Sequence, residues 1–216
     1  MSITTANKSA KRGSTVKSAA EISGISSRPA PRDRIVSTAC ELFRQHGIRG
    51  IGVDAIAEAA DTNKMTLYRH FGSKDDLICE ALRHTSAKAA AMWDELEAAH
   101  PGDARAQLDG WVEARSQCLC SEPFGCDLAN AAVELKEPDH PAHAVIENFK
   151  TLQQKKLADL CRRAGVDEPD ALADTLSMLL EGARVSRLAT GSEGPSMRFV
   201  RACEAAISAF AGVRQP

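Results

Sequence analysis

Ile35, Val36, Ala39, Leu42 and Phe43 fall at the three-and-four spacing of one helix face, which predicts a helix over 33–46, with Gly47 as its stop. Val53, Ile56, Ala57 and Ala60 mark a short second helix. Asp61-Thr62-Asn63 reads as a turn, and Asn63 is a sound N-cap for a third helix over 64–70. Gly72-Ser73 breaks the chain again. Ser73 then caps a long fourth helix, with Asp75 and Asp76 placed favourably at its positive end. Downstream, Pro101-Gly102, Glu122-Pro123, Glu137-Pro138, 165–169 and 191–195 act as breaks. Between them the pattern predicts five more helices, over 103–120, 124–135, 142–164, 170–190 and 196–212. The expected class is all-α, with about nine helices.

Two short helices joined by a three-residue turn, behind a longer helix, make a helix-turn-helix unit. On a helical wheel Leu67 and Phe71 share the core face of the third helix, Met65 and Arg69 point the opposite way, and Thr66 and Tyr68 flank them. A helix this polar is a poor core element. Its thioether, hydroxyls and guanidinium suit base edges and phosphates in a major groove. Phosphate contacts are expected from Tyr68, His70 and Lys74, and base or mixed contacts from Lys64, Met65, Thr66 and Arg69. The N–H groups opening the fourth helix, beside Lys74, offer a second phosphate site. The rival reading of such a stripe is a solvated face.

Composition sharpens this picture. The chain has 216 residues, 44% hydrophobic but only 4% aromatic. Ala and Leu are abundant and β-branched runs scarce, which favours helix. The net charge of −2 excludes a generally basic nucleic-acid coat protein. The charge is uneven, however: Lys8, Lys11, Arg12, Lys17 and Arg28 face only Glu21 before Pro31. The stretch 1–31 is rich in Ser, Thr, Ala, Lys and Gly without an apolar period, so it is expected to be a disordered basic arm that attracts an anionic partner. Neither a signal-peptide pattern nor a membrane-length apolar run is visible. The expectation is a cytoplasmic protein whose seven cysteines are mostly reduced.

Residues 34–82, above all "VDAIAEAADTNKMTLYRHFGSKDDL", resemble the DNA-binding domain of the TetR family of bacterial transcriptional regulators. The resemblance rests on Phe43 and Gly47, Ile56-Ala57, Thr66-Leu67-Tyr68, His70-Phe71 and Lys74 at unbroken spacing. "FGCDLANAAVELKEPDHPAHAVI" further resembles one branch of the family. Two positions depart from the usual pattern. Asp61-Thr62-Asn63 stands where the family often has Gly-Val-Ser, and Met65 where it often has a small residue, which alters the expected base preference.

The resemblance implies an arm over 1–31, a helix-turn-helix domain over 32–78, and a helical-bundle domain for effector binding and dimerisation over 79–216. It implies a homodimer on a double-stranded, near-palindromic operator, released by a small-molecule effector, with no cofactor and no enzymatic activity. Trp93, Leu108, Trp111, Val112, Arg115, Leu119, Phe124, Leu128, Asn130 and Phe149 on the central helices are candidates for the effector pocket, which should be apolar with a few polar groups. The last two helices are apolar enough either to close the monomer core or to form a dimer. Leu172, Leu176, Leu179, Leu180, Ala183, Val200, Cys203, Ile207 and Phe210 are the interface candidates.

Two other functions compete. One is a redox- or metal-responsive regulator switched through Cys118, Cys120 or Cys126, although their spacing is not that of a zinc site and small core residues are the plainer reading. Cys40, Cys79, Cys161 and Cys203 also read as core fillers. The other is a helical-bundle enzyme with a vestigial helix-turn-helix, for which no nucleotide loop, nucleophile setting or metal motif speaks. His140 and His143 lack an obvious third ligand and read as a loop and helix start.

Overall fold

Pro31 opens the first helix, where a fixed φ is an advantage and the missing N–H costs nothing. The computed structural model describes residues 29–121, 124–191 and 194–210. The arm expected over 1–31 therefore lies outside the described residues up to position 28, as do the last two positions of the helix expected over 196–212. Among the described residues there are nine helices and no strand: α1 (Pro31–His46), α2 (Val53–Ala59), α3 (Lys64–Phe71), α4 (Lys74–Ala99), α5 (Ala104–Ser121), α6 (Asp127–Glu134), α7 (Ala142–Arg163), α8 (Pro169–Thr190) and α9 (Pro195–Phe210). The largest departure from the expected boundaries is α6, which starts three residues late. Gly125 holds φ +79° there, a left-handed conformation that a right-handed helix cannot include.

Apolar side chains gather into three clusters. The head cluster joins Ile35, Val36 and Ala39 of α1, Ile56 and Ala57 of α2, Leu67 and Phe71 of α3, and Leu77 and Ala81 of α4. A junction cluster joins Ile48 of the α1–α2 loop and Ile78, Cys79 and Leu82 of α4 to Leu128 and Ala131 of α6 and Ala142 and Ile146 of α7. The bundle cluster packs α5, α7, α8 and α9 around Leu108, Trp111, Leu160, Leu172, Leu176, Phe199 and Ile207, with Leu96 of α4.

Helix α4 supplies all three clusters. Its 26 residues contain neither Gly nor Pro, so the helix runs unbroken for about 39 Å. Ser73 caps it, its Oγ accepting the Asp76 N–H at 3.0 Å. No helix among the described residues is long and apolar enough to cross a membrane.

Candidate nucleic-acid interface and effector cavity

The turn before α3 is held from two sides. Asp61 takes φ +50°, a left-handed conformation that a short polar side chain tolerates. Arg34 of α1 donates from Nε to the Ala60 carbonyl (3.3 Å) and from Nη2 to the Asp61 carbonyl (3.2 Å). Asn63 Oδ1 then accepts the Thr66 N–H at 2.9 Å and starts the helix. Leu67 is fully buried and Phe71 nearly so, which fixes the rotation of α3. Met65 is left 79% exposed, with Tyr68, Arg69 and His70 also exposed and Thr66 half-buried. An exposed thioether of that size has no folding role on its own side of the helix.

Two of the expected contact residues are engaged elsewhere. Lys64 Nζ donates to Asp54 of α2 at 3.0 Å, and that hydrogen bond raises its pKa above the ordinary lysine range. Lys74, expected beside Tyr68 and His70 as a phosphate contact, donates from Nζ to the Ile48 carbonyl at 2.7 Å in the α1–α2 loop. Partial burial lowers its pKa. The start of α4 is also less open to phosphate than expected, because Ser73 takes one N–H and Asp75 and Asp76 bring negative charge to the same turn. The geometry sets Met65, Thr66, Tyr68, Arg69 and His70 on α3 and leaves Lys74 as a brace behind it.

A second brace was not foreseen from sequence. Glu134, the last residue of α6, accepts the Ile48 N–H at 2.9 Å and the Arg49 N–H at 2.6 Å. Arg49 answers by donating from Nε to the Glu134 carbonyl at 3.0 Å, and its guanidinium also meets Glu137. The fit is close: a Cβ on Gly47, which has φ +77°, would stand 3.0 Å from the Glu134 carboxylate. His140 adds a 3.4 Å contact to Asp75. The loop between the first two helices of the head is thereby latched to α6. Its partners lie more than eighty positions apart, beyond what periodicity or capping patterns can signal.

Beyond the latch lies a cavity of about 1100 Å³ walled by α1, α4, α5, α6, α7 and α8. Of the ten pocket candidates, Trp93, Trp111, Arg115, Leu128 and Phe149 line it. Leu108, Val112 and Leu119 do not; they are buried in the bundle on the other side of α5. Phe124 lies at the surface, and Asn130 donates to its carbonyl at 2.7 Å while facing a smaller cavity of about 240 Å³ beside Gly47, Ile48 and Glu134. Wall residues absent from the sequence reading include Ser37, Cys40 and Arg44 of α1, Thr85 of α4, Lys150 of α7, and Glu181 and Arg184 of α8. Trp93 is oriented by its Nε1–H, which donates to Gln153 Oε1 at 2.9 Å.

Comparison with known proteins places this arrangement. Residues 35–81 match the family described as "Bacterial regulatory proteins, tetR family". A solved TetR-family transcriptional regulator from Streptomyces coelicolor shares 27% identity at a TM-score of 0.79, covering 84% of this chain and 96% of its own. The chain is a transcriptional regulator with a TetR-family DNA-binding head. Among the regulator's curated relatives, the HTH-type transcriptional regulator YjdC of Escherichia coli K12 is 24% identical over 163 residues, covering 75% of this chain and 85% of YjdC. The HTH-type transcriptional repressor KstR2 of Rhodococcus jostii is 30% identical over 135 residues, covering 62% of this chain and 60% of KstR2. With that kinship the enzyme alternative falls away.

Of the two roles open to the regulator's last two helices, the interface candidates serve the first, closing the chain's own core. Leu172, Leu176, Leu180, Ala183, Cys203 and Ile207 are buried in the chain's own core, and Leu179, Val200 and Phe210 pack against it. These side chains are used within one chain. Exposed apolar side chains on the same two helices are Met178, Val185, Leu188 and Met197, beside a depression of about 620 Å³ floored by Leu179, Ala183 and Phe199.

The cysteines fall into three groups. Cys79, Cys161 and Cys203 are buried as expected, and burial pushes the Cys161 thiol up to about 11 and Cys203 up to about 12. Cys120 is exposed rather than a core residue, 3.1 Å from the Ser196 hydroxyl. Cys40, Cys118 and Cys126 are half-buried on the wall of the large cavity. Among the described residues no group of three or more His, Cys, Asp or Glu is arranged to hold a metal ion.

Proposed function

We propose that the regulator is a homodimeric repressor that binds a near-palindromic operator and leaves it when a small molecule enters the 1100 Å³ cavity. In this reading residues 32–78 are the DNA-binding head and 79–216 the effector and dimerisation part. Met65, Thr66 and Arg69 read base edges, while Tyr68 and His70 hold phosphates, with the basic stretch before Pro31 adding attraction. Lys74 and Glu134 position the head. The exposed Met178, Val185 and Met197 of α8 and α9 meet a second copy, which sets two α3 helices about one helical turn of DNA apart. One relative, KstR2, carries the name of a repressor.

The observation that carries the reading is the make-up of the cavity wall. It includes Cys40 of α1 and Thr85 of α4, helices that also form the head's core. It also includes Leu128 of α6, the helix that ends in the Glu134 latch. A ligand filling this space bears on both supports of the head. A differential affinity of about 3 kcal/mol between the two head spacings changes operator binding by roughly a hundredfold.

Selection of operators from random duplex DNA by the purified protein, repeated at several salt concentrations, tests the proposal. The expected product is two half-sites in inverted orientation, with binding that weakens steeply as salt rises. Enrichment of a single half-site, or of no sequence, overturns the dimeric reading or the sequence-reading role respectively.

A further inference from the structure

We propose that the smaller cavity, about 240 Å³ between α1, α4 and α6, is a second ligand site. It would take a compact uncharged ketone or similar carbonyl compound, whose oxygen accepts the Arg44 Nε–H. The site goes beyond the effector reading above, and only its consequence for the head rests on that reading. Size is the first ground. An apolar cavity of about 150 Å³ suffices for benzene, so this one admits a ring bearing one further group. Its wall is mostly apolar, with Phe43, Ile48, Ala81, Leu82 and Ala131. An ion would have to leave water for that surface, which disfavours charged ligands.

The second ground is the state of the polar groups on the wall. Thr85 donates to Asp127 at 3.4 Å, Cys40 to the Ala81 carbonyl at 3.4 Å, and Asn130 to the Phe124 carbonyl at 2.7 Å. The Glu134 carboxylate is engaged by the Ile48 and Arg49 N–H groups. Arg44 differs. Its Nη2 meets Glu41, but its Nε is buried and has no acceptor among the described residues. A buried donor left without a partner is destabilising, and a carbonyl oxygen is the complement it lacks. Position is the third ground. Gly47, Ile48 and Glu134 of the latch stand on the same wall. A molecule that fits the cavity with the latch closed stabilises that state. The head thereby gains an input separate from the large cavity.

Amide NMR of the full-length protein tells the two cavities apart. Both tryptophans of the chain, Trp93 and Trp111, line the large cavity and neither lines the small one. Their indole N–H signals therefore report the first, and the backbone signals of 47–51 and 131–135 the second. The probes are cyclohexanone, its hydrocarbon counterpart methylenecyclohexane, cyclohexylamine and cyclohexanecarboxylate. Cyclohexanone is expected to shift the 47–51 and 131–135 signals saturably, to leave both indoles in place, and to slow amide exchange over 47–51. It should bind about tenfold tighter than methylenecyclohexane, with the two ions weaker still. Arg44→Lys keeps a charge for Glu41 but puts a methylene where Nε stood, and should bring ketone and hydrocarbon level. Ala131→Leu fills the cavity and should abolish binding of both. Melting curves check folding, and Arg44→Lys serves if Ala131→Leu unfolds. A ketone no tighter than the hydrocarbon, as when an ordered water already serves Nε, overturns the inference. So does a gap that survives Arg44→Lys, an ion that binds as well, or exchange over 47–51 that does not slow. Shifts confined to the indoles, or no shifts at all, remove the second site and leave the effector reading standing.

Discussion

Removing the Glu134 carboxylate should loosen the head without touching α3. In Glu134→Ala the Ile48 and Arg49 N–H groups lose a charged acceptor at 2.9 and 2.6 Å. Their costs differ. Arg49 is exposed and water replaces its partner, so that half contributes about 0–1 kcal/mol. Ile48 is 5% exposed, and an N–H stranded there costs about 1–3 kcal/mol. The sum is about 1–4 kcal/mol, and at this chain length each kcal/mol moves the melting temperature by roughly 2–4 °C. Differential scanning calorimetry should therefore show a fall of several degrees. Amide hydrogen exchange should show faster exchange confined to the α1–α2 loop and the end of α6. Glu134→Asp should behave like the alanine variant, since a side chain one methylene shorter does not reach both N–H groups. Effector-driven release should weaken as well, because one of the two supports linking cavity to head is gone. A variant that melts within a degree of the parent, with unchanged exchange over 47–51, refutes the latch.

Other perturbations separate the remaining roles. Met65→Ala should change which operator sequence is preferred, while Tyr68→Phe should weaken all operators alike, as competition binding on a panel of duplexes would reveal; the reverse pattern refutes the assignment. The hydrogen bond from Arg32 holds the Glu80 carboxyl below its ordinary range, helped by Arg83. A depressed carboxylate stabilises the fold above its unfolded pKa, and that contribution is lost as pH falls through the folded value. The stability gap between the parent and Arg32→Gln, about 0.5 kcal/mol for so exposed a pair, should close on acidification below about pH 4; a gap independent of pH refutes it. Peroxide treatment should leave operator affinity unchanged if Cys118, Cys120 and Cys126 are not the switch. An affinity loss reversed by thiol reductant, and absent in the Cys118→Ser or Cys126→Ser variant, would favour redox control.

The head was legible because its signals are local. Asn63 and Ser73 cap their helices as residues of their type should, Asp61 adopts the left-handed turn, and the Leu67–Phe71 spacing sets which face of α3 is outward. The bundle was legible only as helices. On α8 both Leu172 and Met178 are apolar, and spacing alone does not say which one meets the chain's own α7 and α9. The pocket candidates were separable only in part for the same reason: Leu108 and Trp111 sit one turn apart on α5, yet only Trp111 reaches the cavity. Lys74 and Glu134 carry charges suited to several partners, and the ones they take are carbonyls and N–H groups brought near by tertiary packing.

Helix α4 has a consequence for recombination between regulators. Leu77 and Ala81 belong to the head cluster, Ile78, Cys79 and Leu82 to the junction, and Leu96 to the bundle. A chimera that grafts a foreign head at residue 78 cuts through two of these clusters at once. A crossover within 83–95 keeps the head intact, but the incoming Ile48, Ile78 and Leu82 must still fit Leu128 and Ala131 of the resident α6. Reader and sensor can be exchanged between such proteins only along with the hydrophobic seam where they meet, and heads with mismatched seams should assemble into regulators that bind DNA yet no longer answer their ligand.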